Sequence, residues 1–165
     1  MGKGAILTTL IVISIVSSFA IIPGLDKTSF GGGFVYIPLL EAQGFGLDLR
    51  YQEGLELYNL DKIAKIYGFF GVGGGYSSID GSFNFGVPVT FIGMPSDFSI
   101  KLFGSKLIPA LSLDSFIGYD TKDGLKTSLA DISISLFSKL NDKDQYLNVY
   151  FWPFPVIIGF NFIQF

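Results

Sequence analysis

Cysteine and histidine are both missing from this 165-residue chain, and charged residues make up only 15% of it. Without cysteine there are no disulfides and no thiol nucleophile. Without histidine there is no imidazole ligand and no Ser-His or Cys-His catalytic pair. Eleven Lys and Arg against fourteen Asp and Glu give a formal charge of −3, which leaves no basic patch of the kind a nucleic acid requires. After residue 22 there is also no apolar stretch long and pure enough for a transmembrane helix. What the chain has in abundance is apolar: 49% hydrophobic residues, 18 Phe and 21 Gly. A soluble domain carries roughly 25% charged residues, so the apolar surplus here needs some cover other than a conventional charged surface.

The N-terminus has the layout of an export signal. Lys3 supplies a positive start, "AILTTLIVISIV" (Ala5 to Val16) an apolar core, and Ser18 and Ala20 the small residues before a cleavage point. The expected organisation is a signal peptide over 1–20 and a single domain over 21–165, with the mature chain starting at Ile21. The alternative is an uncleaved anchor running to Ile22. Ser17, Ser18 and Pro23 interrupt the apolar run where a signal should end and favour cleavage.

The remaining hydrophobicity alternates. In "SFNFGVPVTF", Phe83, Phe85, Val87, Val89 and Phe91 share one side of an extended chain, and Ser82, Asn84, Gly86, Pro88 and Thr90 the other. In "GLDLRYQEGLELY" (Gly46 to Tyr58), Leu47, Leu49, Tyr51, Leu55 and Leu57 oppose Asp48, Arg50, Gln52, Glu56 and Tyr58, with Glu53 breaching the apolar side. Ala130 to Phe137 and Tyr146 to Trp152 repeat the pattern. Leu111 to Tyr119 does too, except that Ser115 and Phe116 depart from it. Ser29 to Leu40 and Ile66 to Ser78 are rich in Gly and aromatics on both faces, as the bends and close approaches of a small barrel require. "GVGGG" at 71–75 lacks the Lys-Ser/Thr of a phosphate loop and is not followed by a helical pattern. Val156 to Phe165 completes a set of eight strands, separated by turn-forming clusters. "FSIKLFGSK" (Phe98 to Lys106) fits the start of a long fifth strand, an extra short strand or an irregular turn.

The fold class expected is all-β, a closed up-and-down antiparallel barrel of about eight strands. A strand that spans a bilayer needs about 9 to 11 residues; these segments have that length, whereas soluble strands are nearer 5 or 6. Lysine is expected mostly in turns, at 62, 65, 122, 126 and 143. If the outward face is apolar, the interior should be filled with polar groups that satisfy one another. Asp48, Arg50, Glu56, Asn84, Asp114 and Asp131 are the candidates for that interior network, with Arg50, the chain's single arginine, at its centre. The alternative places Arg50 at a solvated rim.

With its export signal, eight amphipathic strands and an "IQF" ending, the chain resembles the small bacterial outer-membrane β-barrels of the OmpX and OmpA type. The resemblance implies residence in the outer membrane of a Gram-negative-type envelope, lipid as the surrounding partner, and Ile163 and Phe165 as the signal read by the barrel-assembly machinery. Phe165 would then matter for insertion and hardly at all for the finished barrel. Asn161 departs from that ending, and Phe160 and Phe162 fall in the opposite register, which a bulge in the last strand would reconcile. Outer-membrane acyltransferases and deacylases of this size rely on His, so no enzyme activity, cofactor or metal is expected. The expected role is structural or a surface interaction with an extracellular or periplasmic partner. The alternatives are a narrow, porin-like pore, and a soluble lipocalin-like barrel with its Phe and Leu faces turned inward on an apolar ligand.

Overall fold

The computed structural model describes residues 25–38, 43–61, 63–102, 104–140, 144–152 and 156–165. The expected signal segment lies outside these residues. The described elements are β1 (Lys27–Pro38), β2 (Gln43–Asn59), β3 (Ala64–Ser77), β4 (Ser82–Pro95), β5 (Ile100–Leu102), β6 (Ser105–Asp120), β7 (Gly124–Lys139), β8 (Gln145–Trp152) and β9 (Val156–Gln164). Each long strand pairs antiparallel with its neighbours in the chain, β4 pairs with β6, and β9 pairs back onto β1. Eight strands therefore close into a barrel. Closure gives most backbone N–H and C=O groups partners from both sides. The exception among the described residues is the first part of β7, 124–133, which pairs with β6 on one side and runs past the end of the β7–β8 ladder at Ile134↔Phe151.

The uncertain stretch before β6 contains a short strand and the start of a long one. Ile100–Leu102 folds back through Gly104, whose φ of 80° favours glycine, and pairs with Ser105–Leu107. It covers the part of β6 that β4 does not reach, since the β4–β6 ladder runs only from Asn84↔Asp120 to Gly93↔Leu111. The lapse of alternation at Ser115 and Phe116 is a bulge, where the β6–β7 register shifts between Asp114 and Phe116. A bulge in the last strand does not occur. β9 runs in unbroken register against β1 and β8, so Phe160 and Phe162 face outward while Asn161 and Ile163 face inward. Lys65 and Lys126, expected in turns, lie near the ends of β3 and β7.

The two faces now have directions. Phe30, Phe34, Leu47, Leu49, Phe83, Phe91, Leu111, Ile117, Ile132, Ile134, Phe151, Ile158 and Phe162 are all exposed on the outside. Their neighbours in sequence, such as Ser29, Ser82, Thr90, Ser112, Ser133 and Ser135, are buried inside. The interior is not polar throughout, which corrects the expectation. At the end that holds Lys27 and Phe165, the rings of Tyr67, Phe69 and Phe137 pack with Ile92, Met94, Ala110 and Ile163 in an apolar layer. An eight-stranded lumen is just wide enough for side chains to fill. Aromatic rings fill it without the hydrogen-bond partners that polar groups would need. A side chain at Gly54 would strike the Phe69 ring, so that glycine makes the room for it.

Phe165 belongs to this layer. Its ring centroid lies 4.3 Å from that of Tyr67, 5.8 Å from Phe137 and 5.4 Å from Tyr146, and its N–H donates to the carbonyl of Asp144 at 3.1 Å. The ring of Phe165 thus packs, partly buried, against the apolar layer of the finished barrel.

Truncating the fully buried Phe137 to alanine should cost about 3–5 kcal/mol, because the layer cannot collapse around the hole. Ile134→Ala, on the outward face of the same strand, should leave the interior packing intact. Denaturant midpoints of the two variants in one medium will separate them.

Candidate functional site: the interior ion cluster and its vestibule

Alternation on β2 turns Asp48, Arg50 and Gln52 into the lumen, one above the other. The Arg50 guanidinium donates from Nε at 3.0 Å and from Nη2 at 2.8 Å to Asp48 Oδ2, and from Nη1 at 2.9 Å to Asp114 Oδ1. Asp48 is local, two residues away on the same strand. Asp114 comes from β6, which is separated from β2 by β3 and β4, so this ion pair crosses the lumen. The wall beneath the crossing is lined with glycine: Arg50 registers with Gly73 and Gly73 with Gly86.

The carboxylate of Asp114 also accepts from Thr90 Oγ1 at 2.7 Å, and Gln52 Nε2 donates to Thr90 Oγ1 at 3.1 Å. On the other side the guanidinium carbon lies 6.0 Å from the centroid of the Tyr150 ring, within cation–π range. That ring lies against Gly33 and Gly159, where any side chain would collide with it. The site is therefore one cation held by two carboxylates, with a neutral donor chain on one flank and an aromatic face on the other.

The remaining sequence candidates divide. Asn84 and Asp131 line a cavity of about 350 Å³ together with Asp48, Arg50, Asp114, Phe116 and Lys126. This vestibule lies on the side of Arg50 away from the apolar layer, towards turns 78–81 and 121–123. Asp131 is exposed there and accepts from Ser128 Oγ at 2.5 Å. Glu56 is not brought into the cluster. It stands exposed at the opposite mouth, accepting from Asn59 Nδ2 at 3.0 Å, because β2 runs past the polar layer before reaching it. Ile163 and Phe165 lie in and against the apolar layer.

Sequence reasoning missed Gln52, Thr90 and Tyr150, which are neutral and so carried no charge signal. Their inward parity, shared with Arg50, Asn84 and Asn148, was the clue available. At the vestibule rim, buried Asp120 accepts from Ser82 Oγ at 3.0 Å and from the Lys122 N–H at 2.8 Å. In turn 78–81, hydrogen bonds from the Ser77 side chain and from the Ser82 backbone pull the Asp80 carboxyl below the usual carboxylate range. Among the described residues, no group of three or more Asp or Glu is placed to hold a metal ion. Three of the five guanidinium N–H groups are bonded to the two carboxylates, which makes the cluster a cross-lumen clamp.

Arg50→Met would leave Asp48 and Asp114 facing each other without a counter-charge and should destabilise the barrel by about 3 kcal/mol, the low end for a broken buried pair, since both carboxylates are about a quarter exposed. Neutralising all three residues together, as Arg50→Met, Asp48→Asn and Asp114→Asn, should restore much of that loss. Equilibrium unfolding of the single and triple variants checks both statements.

Compared with known proteins, the chain matches no family model, no curated protein and no solved structure.

Proposed function

We propose that this chain is an integral outer-membrane β-barrel with a structural or surface-interaction role and no catalytic activity. The observation that carries the proposal is the pairing of faces: a mostly apolar exterior, broken at Glu53, around a lumen that holds an ion cluster. In water, so many exposed Phe, Leu and Ile side chains would far exceed the apolar patches that soluble monomers tolerate. In lipid they are the favoured surface, and a closed barrel is one of the only two backbone arrangements that can cross a bilayer. Charged residues gather where the chain would leave the hydrocarbon: Lys27, Glu56, Lys65 and Asp144 at one mouth, Asp80, Asp120, Lys122 and Asp123 at the other.

A soluble carrier of apolar ligands would have the faces reversed, with Leu and Phe around a cavity and Asp and Ser in water. A pore is disfavoured by the packed aromatic layer and by the clamp across the lumen. The proposed partners are the outer-membrane lipid and, through Ile163 and Phe165, the barrel-assembly machinery, with export through cleavage of residues 1–20. An extracellular partner would meet the barrel at the vestibule end, with the end that holds Lys27 and Phe165 turned towards the periplasm.

Single cysteines at positions 84–89, convenient in a chain that has none, test the proposal when spin-labelled in bilayers. Lipid-soluble oxygen should relax 85, 87 and 89 and spare 84, 86 and 88. The proposal fails if a water-soluble agent reaches the even positions while the odd ones meet neither reagent. Val87→Arg should cost about 2–4 kcal/mol if it lies near the bilayer midplane, and less towards either interface. Mass spectrometry of the exported protein should find Ile21 at its start.

A further inference from the structure

Between the Arg50 cluster and the apolar layer, the lumen keeps about 10 Å³ of room for the centre of a water molecule. Four of the residues lining that room carry a buried side-chain oxygen with no hydrogen-bond partner among the described residues: Ser133 Oγ, Asn148 Oδ1, Tyr150 OH and Asn161 Oδ1. Their residues are 6%, 2%, 7% and 6% exposed, so bulk solvent does not supply what is missing. Buried polar atoms are almost always partnered, and four orphans around one chamber point to a shared occupant.

We propose that this chamber in the lumen is a water-binding site, its four unpartnered oxygens supplied by β7, β8 and β9. The chemistry of the four oxygens selects the occupant. Amide oxygens only accept, and hydroxyl groups must also place a proton. Water donates and accepts, so it serves both kinds. A monovalent cation would satisfy the two amide oxygens but offer nothing to the protons of Ser133 and Tyr150. An anion would be repelled by the amide oxygens and by Asp114, and the Arg50 guanidinium that also lines the chamber is already held by two carboxylates. Asn148 and Asn161 stand directly opposite each other on β8 and β9, so turning one amide would let it donate to the other. That leaves one amide oxygen and both hydroxyls still unpartnered. The size agrees too: a buried water needs about 10–15 Å³ for its centre and two to four polar neighbours.

Bound there, water extends the polar layer from the ion cluster towards the aromatic rings. The site depends on the closed barrel alone, and not on whether lipid or water surrounds it.

The test is a crystal structure of the full chain showing ordered solvent, with a second crystal soaked in a thallium(I) salt, together with oxygen-17 relaxation dispersion of the folded barrel in solution. The expected results are a solvent peak within hydrogen-bond distance of at least two of the four oxygens, no thallium anomalous signal in the chamber, and a slowly exchanging water population that falls by at least one molecule in Asn148→Leu. An anomalous thallium peak would identify a cation site and overturn the proposal. So would a chamber in which the four oxygens pair with one another, or a dispersion amplitude identical in wild type and variant. If Asn148→Leu does not fold, the wild-type density decides by itself.

Discussion

One guanidinium sets the terms for the interior of this barrel. Withdrawing Arg50 from water costs several kcal/mol unless its charge and its N–H groups are met, and the chain meets them from two sides, with Asp48 on the same strand and Asp114 across the lumen. The first contact is available to an isolated β2. The second requires β2, β3, β4 and β6 to curl far enough to bring the Asp114 carboxylate within 2.9 Å of the guanidinium, so the ion pair depends on the curvature of the barrel wall. Thr90, Gln52 and Tyr150 then have their positions dictated by the clamp: one carboxylate needs a further donor, and the exposed face of the guanidinium needs cover.

Space for that clamp comes from the backbone. Glycines line the β3 and β4 wall that Arg50 reaches over, and Gly33 and Gly159 let the Tyr150 ring lie flat beside them. The lumen of eight strands leaves so little width that each large inward side chain requires a small neighbour on the adjacent strand. Gly54 under the Phe69 ring repeats the device in the apolar layer. The high glycine content is therefore a packing requirement of the interior as much as a source of turns.

Stacking an aromatic layer beneath a polar one divides the barrel into two ends with different chemistry. At the end that holds Lys27 and Phe165 the lumen is filled by rings, including that of Phe165. At the other end the Arg50 cluster forms the floor of a cavity lined by Asn84, Phe116, Lys126 and Asp131. Whatever meets this protein from the vestibule side meets a floor of paired charges. From the terminal side it meets a closed apolar core behind a charged mouth. Such polarity along the barrel axis is the property a surface-interaction role would use.

Strand periodicity, the closed all-β class and the division of each strand into an apolar and a polar face were legible in the sequence, because alternation is a local property that follows from the backbone geometry of single strands. So was Arg50 as the centre of the cluster, since a lone cation among inward-phased carboxylates has few alternatives. Glu56 was misplaced because parity tells which face a residue occupies but not how far along the barrel it sits. The aromatic layer was hidden for the same reason: Ile92, Met94 and Phe137 continue the inward parity of Thr90, Ser133 and Ser135, and the change from polar to apolar along one face becomes meaningful only when neighbouring strands align it into a layer. The sequence by itself determined the two faces and their residues. The tertiary structure alone decided which carboxylate answered Arg50 across the lumen and where the interior changed from polar to apolar, because each depends on strand stagger and on closure between residues dozens of positions apart.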